Sequence, residues 1–155
     1  NYDIYRISNV YGEGQNVGKG LGFINTALEN IVGSRPVIVY GDGENVRDYI
    51  YVKDAARLLS LSVVKETTDS DIYNVSSNHA VSLNEILALI REAVGFDFEV
   101  ERLPNRTSDN RKAMLDNSRI MRFFEGLQMT SLSDGIKNTY DYLRTKALSA
   151  DRTSG

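Results

Sequence analysis

Hydrophobic and polar positions divide the chain into alternating strand and helix patterns. Asn1 to Ser8 is rich in Tyr and Ile and closes on the turn-forming Asn9, which predicts a β-strand. This strand starts at the first residue, and Tyr5 and Ile7 suit a larger sheet with strands upstream, so the expectation is a cut chain carrying an unpaired edge. Tyr11 to Gly20 holds four glycines in ten positions, which disfavours regular helix or strand and predicts a shaped loop. Leu21, Ile24, Leu28 and Ile31 then recur at helical spacing until Gly33 and Pro36 end the helix. Val37 to Tyr40 reads as a short strand. Gly41 to Asn45 is turn chemistry leading into Val46 to Val52, so a hairpin or a close pair is expected. A period of two in that second strand sets Arg47, Tyr49 and Tyr51 on one face and Val46, Asp48, Ile50 and Val52 on the other.

Further along, Asp54 suits the cap of a helix reaching about Val64, with Ala55, Leu58, Leu59 and Val63 inward, and a polar loop leads to a strand at Ile72 to Ser76. Ser82 and Glu85 form a capping box ahead of an apolar stripe of Leu83, Ile86, Leu87, Ile90 and Val94 that stops at Gly95. Phe96 to Glu101 alternates like an edge strand, Asn105 to Arg111 is a polar loop, and Asn117 to Glu125 a short helix. Ser131 caps a last helix carrying Ile136, Tyr140 and Leu143. The segment from Ser149 is expected to fray. With no internal repeat and no Pro/Ser-rich linker, residues 1–148 form one unit of α/β type and 149–155 a tail.

Composition narrows the functional classes. The 155 residues carry 18 Lys+Arg against 21 Asp+Glu, with 41% hydrophobic and 25% charged residues, which fits a soluble globular core. The slightly acidic balance and the lack of a Lys/Arg run argue against a nucleic-acid or anionic-membrane surface, although single basic residues still suit single phosphates. The absence of cysteine excludes disulfides and thiol chemistry and suits a reducing cytoplasm. No apolar stretch nears the roughly 20 residues that span a bilayer, and Asn1 opens without Met or a basic n-region followed by an apolar core, so an untargeted segment is the expectation. Asp42, Glu44, Asp48 and Asp54 lie close in sequence, but with no His or Cys beside them turn and cap roles are expected and no metal. His79, the one histidine, reads as an ordinary exposed residue away from this region.

Two blocks carry more specific information: Arg6-Ile-Ser-Asn9-Val-Tyr11-Gly12, and Arg35-Pro-Val-Ile-Val-Tyr-Gly-Asp-Gly43 followed by Val46-Arg-Asp-Tyr-Ile-Tyr-Val-Lys-Asp54. In order and spacing they resemble the C-terminal half of the NAD-dependent epimerase/dehydratase family of extended short-chain dehydrogenase/reductases, most closely its UDP-glucose 4-epimerase branch, over Asn1 to about Leu148. The resemblance implies a substrate-binding C-terminal lobe with the last strands of a Rossmann sheet. It places a dinucleotide-binding domain and a catalytic Tyr-x-x-x-Lys pair upstream, so NAD is bound mainly elsewhere, no catalytic residue is expected here and this piece is not expected to turn over alone. The implied reaction removes a hydride from C4 of a nucleotide-diphosphate sugar to NAD and returns it to the other face. A dehydratase, decarboxylase or reductase of the same family is the alternative, and a non-catalytic nucleotide-diphosphate module the reading from another class. For the intact protein the family implies a cytoplasmic homodimer.

Such chemistry needs a charged grip on the diphosphate, flat or apolar contacts on the base and few rigid contacts to the sugar. By resemblance, Arg47 anchors the diphosphate, where a guanidinium offers two parallel bonds and Lys only a point charge. Tyr49 shares its face and lines the same groove. Arg106 meets the diphosphate and Asp109 the ribose hydroxyls, while Asn9 bonds the glycosyl-phosphate region. Ile38 and Tyr40 touch the nucleobase, Leu21 and Gly22 open a helix towards the phosphates, and Ser8 touches the nicotinamide region of NAD. Plain alternatives exist for each: surface pairing of Arg47 with Asp48 or Asp54, strand packing for Tyr49, a solvated loop around Arg106, and a turn role for Asn9.

Overall fold

The computed structural model describes residues 2–16, 22–63, 70–105, 111–124 and 126–153. Its elements are β1 (Asp3–Ile7), β2 (Asn9–Tyr11), α1 (Phe23–Val32), β3 (Val37–Tyr40), β4 (Val46–Tyr51), α2 (Val52–Val63), β5 (Asp71–Val75), β6 (Ala80–Ser82), α3 (Leu83–Val94), β7 (Val100–Leu103), β8 (Lys112–Ala113), α4 (Ser118–Met121) and α5 (Leu132–Thr153). This is a mixed α/β fold in which parallel pairing dominates. β1 pairs with β5, β2 with β4, β4 with β8 and β3 with β7, all parallel, while β6 runs antiparallel to β4. Among the described residues, the second edge of β1 has no strand beside it. Its outward Ile4 and the register partner Ile72 are 44% and 40% exposed.

The period of two along β4 separates two cores. Tyr49 and Tyr51 belong to a large cluster built from the inner stripes of α1, α3 and α5, with Leu28, Ile86, Ile90 and Ile136 fully buried. Ile50 points the other way, into a smaller cluster with Leu58, Val75 and Ile120 that packs α2 and α4 on β5. Each such buried aliphatic side chain contributes about 1.5–3 kcal/mol, so the alternation in six strand residues decides which helices the sheet can hold.

The capping box forms as the sequence predicts: Ser82 Oγ accepts from the Glu85 N–H at 3.2 Å and Glu85 Oε2 accepts from the Ser82 N–H at 2.7 Å. These bonds hold the Glu85 carboxyl below the usual glutamate range. Gly95 ends α3 in the left-handed conformation, φ 79°.

The predicted hairpin of β3 and β4 does not form. Its turn is tied to α3 and β7 instead: Asn84 N donates to Gly43 O at 3.1 Å, and Asn84 Nδ2 and Arg102 Nη1 both donate to Asp42 O. Gly43, at φ 81°, passes so close that a Cβ there would lie 2.3 Å from Asn84 Oδ1. Turn residues alone fix a reversal and not the neighbour, and here docking of α3 sends β3 to β7. That partner occupies Val100–Leu103, later than the strand expected at Phe96 to Glu101. Asp54 lies within the first turn of α2, which follows β4 without a break; rather than capping, its Oδ2 accepts from the Thr130 N–H at 2.8 Å and so pins the approach to α5. The segment expected to fray from Ser149 continues α5 to Thr153, with Ser149 Oγ bonded to Thr145 O.

Candidate functional site

β2, β4 and the start of α1 enclose a cavity of about 200 Å³. Four residues expected at a phosphate site line it: Asn9, Gly22, Arg47 and Tyr49. β2 and β4 bring Asn9 and Tyr49 together as register partners, and Arg47 follows on the same face two positions earlier. The Arg47 Nη1 donates to the Val46 carbonyl at 2.9 Å, folding the guanidinium back along its strand. Asn9 Nδ2 donates to the Asp48 carbonyl at 2.8 Å, which orients the carboxamide. Gly22 is the residue before α1 and sits at φ 82°, and α1 has no side-chain cap and no acidic residue in its first turn. The positive end of a ten-residue helix therefore opens beside an arginine, an arrangement that favours an anion.

Several expected residues are elsewhere. Ile38 and Tyr40 alternate with the buried Val37 and Val39, so they lie half-buried on the other face of β3 and line none of the cavities described here. Leu21, Arg106 and Asp109 lie outside the described residues. Ser8 is held in a network: its Oγ donates to Asp48 Oδ1 at 3.2 Å and its N–H to the Val75 carbonyl. Asp48 Oδ1 also accepts from Ser77 N and Ser77 Oγ, so the buried carboxylate, rather than pairing at the surface, ties the β1–β2 junction to the bend after β5. The cavity also uses Asn45, which was not anticipated; extending the alternation of β4 two residues back from Arg47 puts it on the same face.

Tyr11 and Tyr49 also line a second cavity of about 320 Å³, bounded by Asp54, Ser77 and His79. His79 is exposed, as expected, but in space it borders the Arg-Asp-Tyr block rather than lying far from it. Burial pushes the Tyr49 hydroxyl up to about 12, against the pull of Arg47, and raises Tyr11 further, with Asp54 adding to it. Raised folded-state values mean stability that is present below the unfolded tyrosine value near 10 and lost above it. Alkaline titration followed by circular dichroism is expected to show stability falling by roughly 1.4 kcal/mol per pH unit for each of these tyrosines between about pH 10 and 12.

The spacing Tyr-x-x-x-Lys, not expected in this chain, occurs twice, at Tyr49–Lys53 and Tyr142–Lys146. Neither arrangement suits proton transfer. Tyr49 is buried with its ionisation made harder, the reverse of an activated hydroxyl, and Lys53 turns away to pair with Glu13 at 2.8 Å. Tyr142 is 38% exposed on α5 and lines none of these cavities. Among the described residues no three His, Cys, Asp or Glu converge, and no helix is long and apolar enough to cross a membrane.

Residues 1–76 match the NAD dependent epimerase/dehydratase family. A UDP-glucose 4-epimerase of Mycolicibacterium smegmatis is 29% identical over 140 residues, covering 90% of this chain and 44% of that protein. The dTDP-glucose 4,6-dehydratase of Streptomyces griseus is 30% identical over 137 residues, covering 88% and 40%. The UDP-glucose 4-epimerase of Thermotoga maritima, solved with UDP-glucose, superposes with a TM-score of 0.85 at 31% identity, over 94% of this chain and 47% of that one. The chain is similar to the NAD-dependent epimerase/dehydratase family. It spans less than half the length of these relatives. Ser8 already gives its hydroxyl proton to Asp48, and the sequence contains no Gly-x-Gly-x-x-Gly to cradle a pyrophosphate, so no chemical step through the cofactor follows from these residues.

Proposed function

We propose that this chain is the substrate-binding part of a nucleotide-sugar 4-epimerase of the UDP-glucose/UDP-galactose type, and that the cavity of Arg47 grips the diphosphate. The observation that carries this reading is the convergence of Arg47, Asn9 and the N-terminus of α1 at Gly22 on one cavity. Arg47 supplies paired charge-assisted bonds, the helix terminus supplies N–H groups, and Asn9 contacts the phosphate that carries the sugar. Tyr49 stays a neutral donor and a flat wall. Leu21, Arg106 and Asp109 take the phosphate and ribose contacts of the resemblance, Ile38 and Tyr40 the base, and Ser8 the edge of NAD.

In the whole protein, as the resemblance implies, NAD supplies the transient hydride acceptor, in a cytoplasmic homodimer. The similar identity to a 4,6-dehydratase favours a second reading, a dehydratase or reductase using the same grip. Choosing between them requires assaying the whole protein for interconversion of UDP-glucose and UDP-galactose. The grip itself is tested by calorimetric titration of the protein with UDP and UMP. UDP is expected to bind at least about tenfold tighter, because one charge-assisted phosphate bond contributes about 1.5–3 kcal/mol. Equal affinities for the two would rule out a diphosphate site.

A further inference from the structure

A third cavity, of about 310 Å³, lies along the same strand as the arginine cavity, with Val10 and Tyr11 lining both. Its other walls are the loop Gly12 to Gln15 and Val52 at the start of α2. Gly12 makes that closure possible: at φ 135°, a Cβ would come 2.4 Å from Val52 Cγ1. Glu13 is the charged residue of this lining. Its Oε1 accepts from the Tyr51 hydroxyl at 2.7 Å and pairs with Lys53 Nζ at 2.8 Å, whereas its Oε2 is buried and has no hydrogen-bond partner among the described residues. Lys53 is 68% exposed and does not line the cavity, so the cation stands at the solvent end of the cluster and the carboxylate at the inner end. Burial works against ionisation of Glu13, yet the bonds from Lys53 and Tyr51 outweigh it and hold the carboxyl below the ordinary range. An ionised oxygen shut away from water without a donor calls for one from a ligand.

We propose that Glu13 is a specificity-determining residue that accepts a hydrogen bond from a hydroxyl of the sugar beyond the diphosphate, so that the cavity admits a neutral hexose and rejects a hexuronate. This rests on Arg47 holding the diphosphate in the adjoining cavity, because the shared wall of Val10 and Tyr11 then leads from phosphate to sugar. A neutral hexose brings hydroxyl donors and satisfies Oε2. A hexuronate brings a second carboxylate up against that of Glu13, where the two like charges repel.

The test is calorimetric titration of the protein and its Glu13→Gln variant with UDP, UDP-glucose and UDP-glucuronate. The unaltered protein is expected to bind UDP-glucose at least about tenfold tighter than UDP-glucuronate, a modest figure for one like-charge contact. Glu13→Gln keeps an acceptor but loses the charge, and should bring the two within about threefold while leaving UDP unchanged. Lys53→Met removes the partner and keeps the carboxylate, so it should preserve the discrimination and show that a disturbed loop is not the cause. Equal binding of both sugars by the unaltered protein overturns the proposal, as does a Glu13→Gln effect on UDP as large as that on UDP-glucose. Failure of UDP itself to bind overturns the Arg47 reading and this one with it; UDP binding without sugar discrimination overturns this one alone.

Discussion

Replacing Arg47 with Ala is expected to weaken UDP binding by about 30- to 700-fold. The range follows from the loss of two charge-assisted bonds, offset in part by the cost of desolvating the guanidinium, for a net of roughly 2–4 kcal/mol at about 1.4 kcal/mol per tenfold. Arg47 is half-buried and its Nη1 bonds to the Val46 carbonyl, so the melting temperature of the variant is measured alongside to separate a lost grip from a weakened fold. Arg47→Lys keeps the charge but not the planar fork, and should recover only about a tenth to a third of the affinity, since point-charge contact replaces bidentate contact. The measurement is UDP titration of the three proteins at low and high salt, with the unaltered protein losing the most affinity as salt rises. Unchanged UDP binding in Arg47→Ala would remove the arginine from the site and leave only the helix terminus of α1 to hold an anion.

The same residues show how far sequence alone could go. The face shared by Arg47 and Tyr49 was legible because strand alternation is local and strict, and the same arithmetic carried two residues further back reaches Asn45. The capping box was legible for the same reason: both of its hydrogen bonds lie within four residues. Partners across long separations were not. Nothing in the Gly41–Asn45 turn tells that Asn84 and Arg102 will close on Asp42, or that β3 will therefore pair with β7 instead of β4. Asp54 looks like a cap because it stands near a helix start, yet its partner is Thr130, 76 residues away. The buried Asp48 and the part-buried Glu13, which shape the site, look like ordinary surface carboxylates until the strands are assembled around them.

Gly135 offers the sharpest test of that assembly, because local and tertiary physics predict opposite signs there. Within α5, Gly135→Ala should stabilise by about 1 kcal/mol, the usual helix-propensity gain of Ala over Gly. In the folded protein, however, the new Cβ would lie 2.1 Å from the Tyr11 hydroxyl and 2.9 Å from its ring carbon Cζ. Tyr11 is 2% exposed and packs on Tyr51 with ring centroids 5.7 Å apart, so the ring has nowhere nearby to go. Overpacking of this kind costs about 1–3 kcal/mol, and more where the displaced group is rigid. The tertiary term should win, giving a net loss of roughly 1–3 kcal/mol and a melting temperature lower by about 2–10 °C in a chain of this size. Tyr11 lines all three cavities, so UDP affinity should fall together with stability. Combining the change with Tyr11→Phe removes the hydroxyl that the Cβ meets first but leaves the ring carbon at 2.9 Å, so in that background the added methyl should cost clearly less without becoming neutral, a coupling that a double-mutant cycle reads directly. A Gly135→Ala protein that melts higher than the unaltered one would mean that Tyr11 does not sit against α5, and the wall common to the three cavities would have to be redrawn.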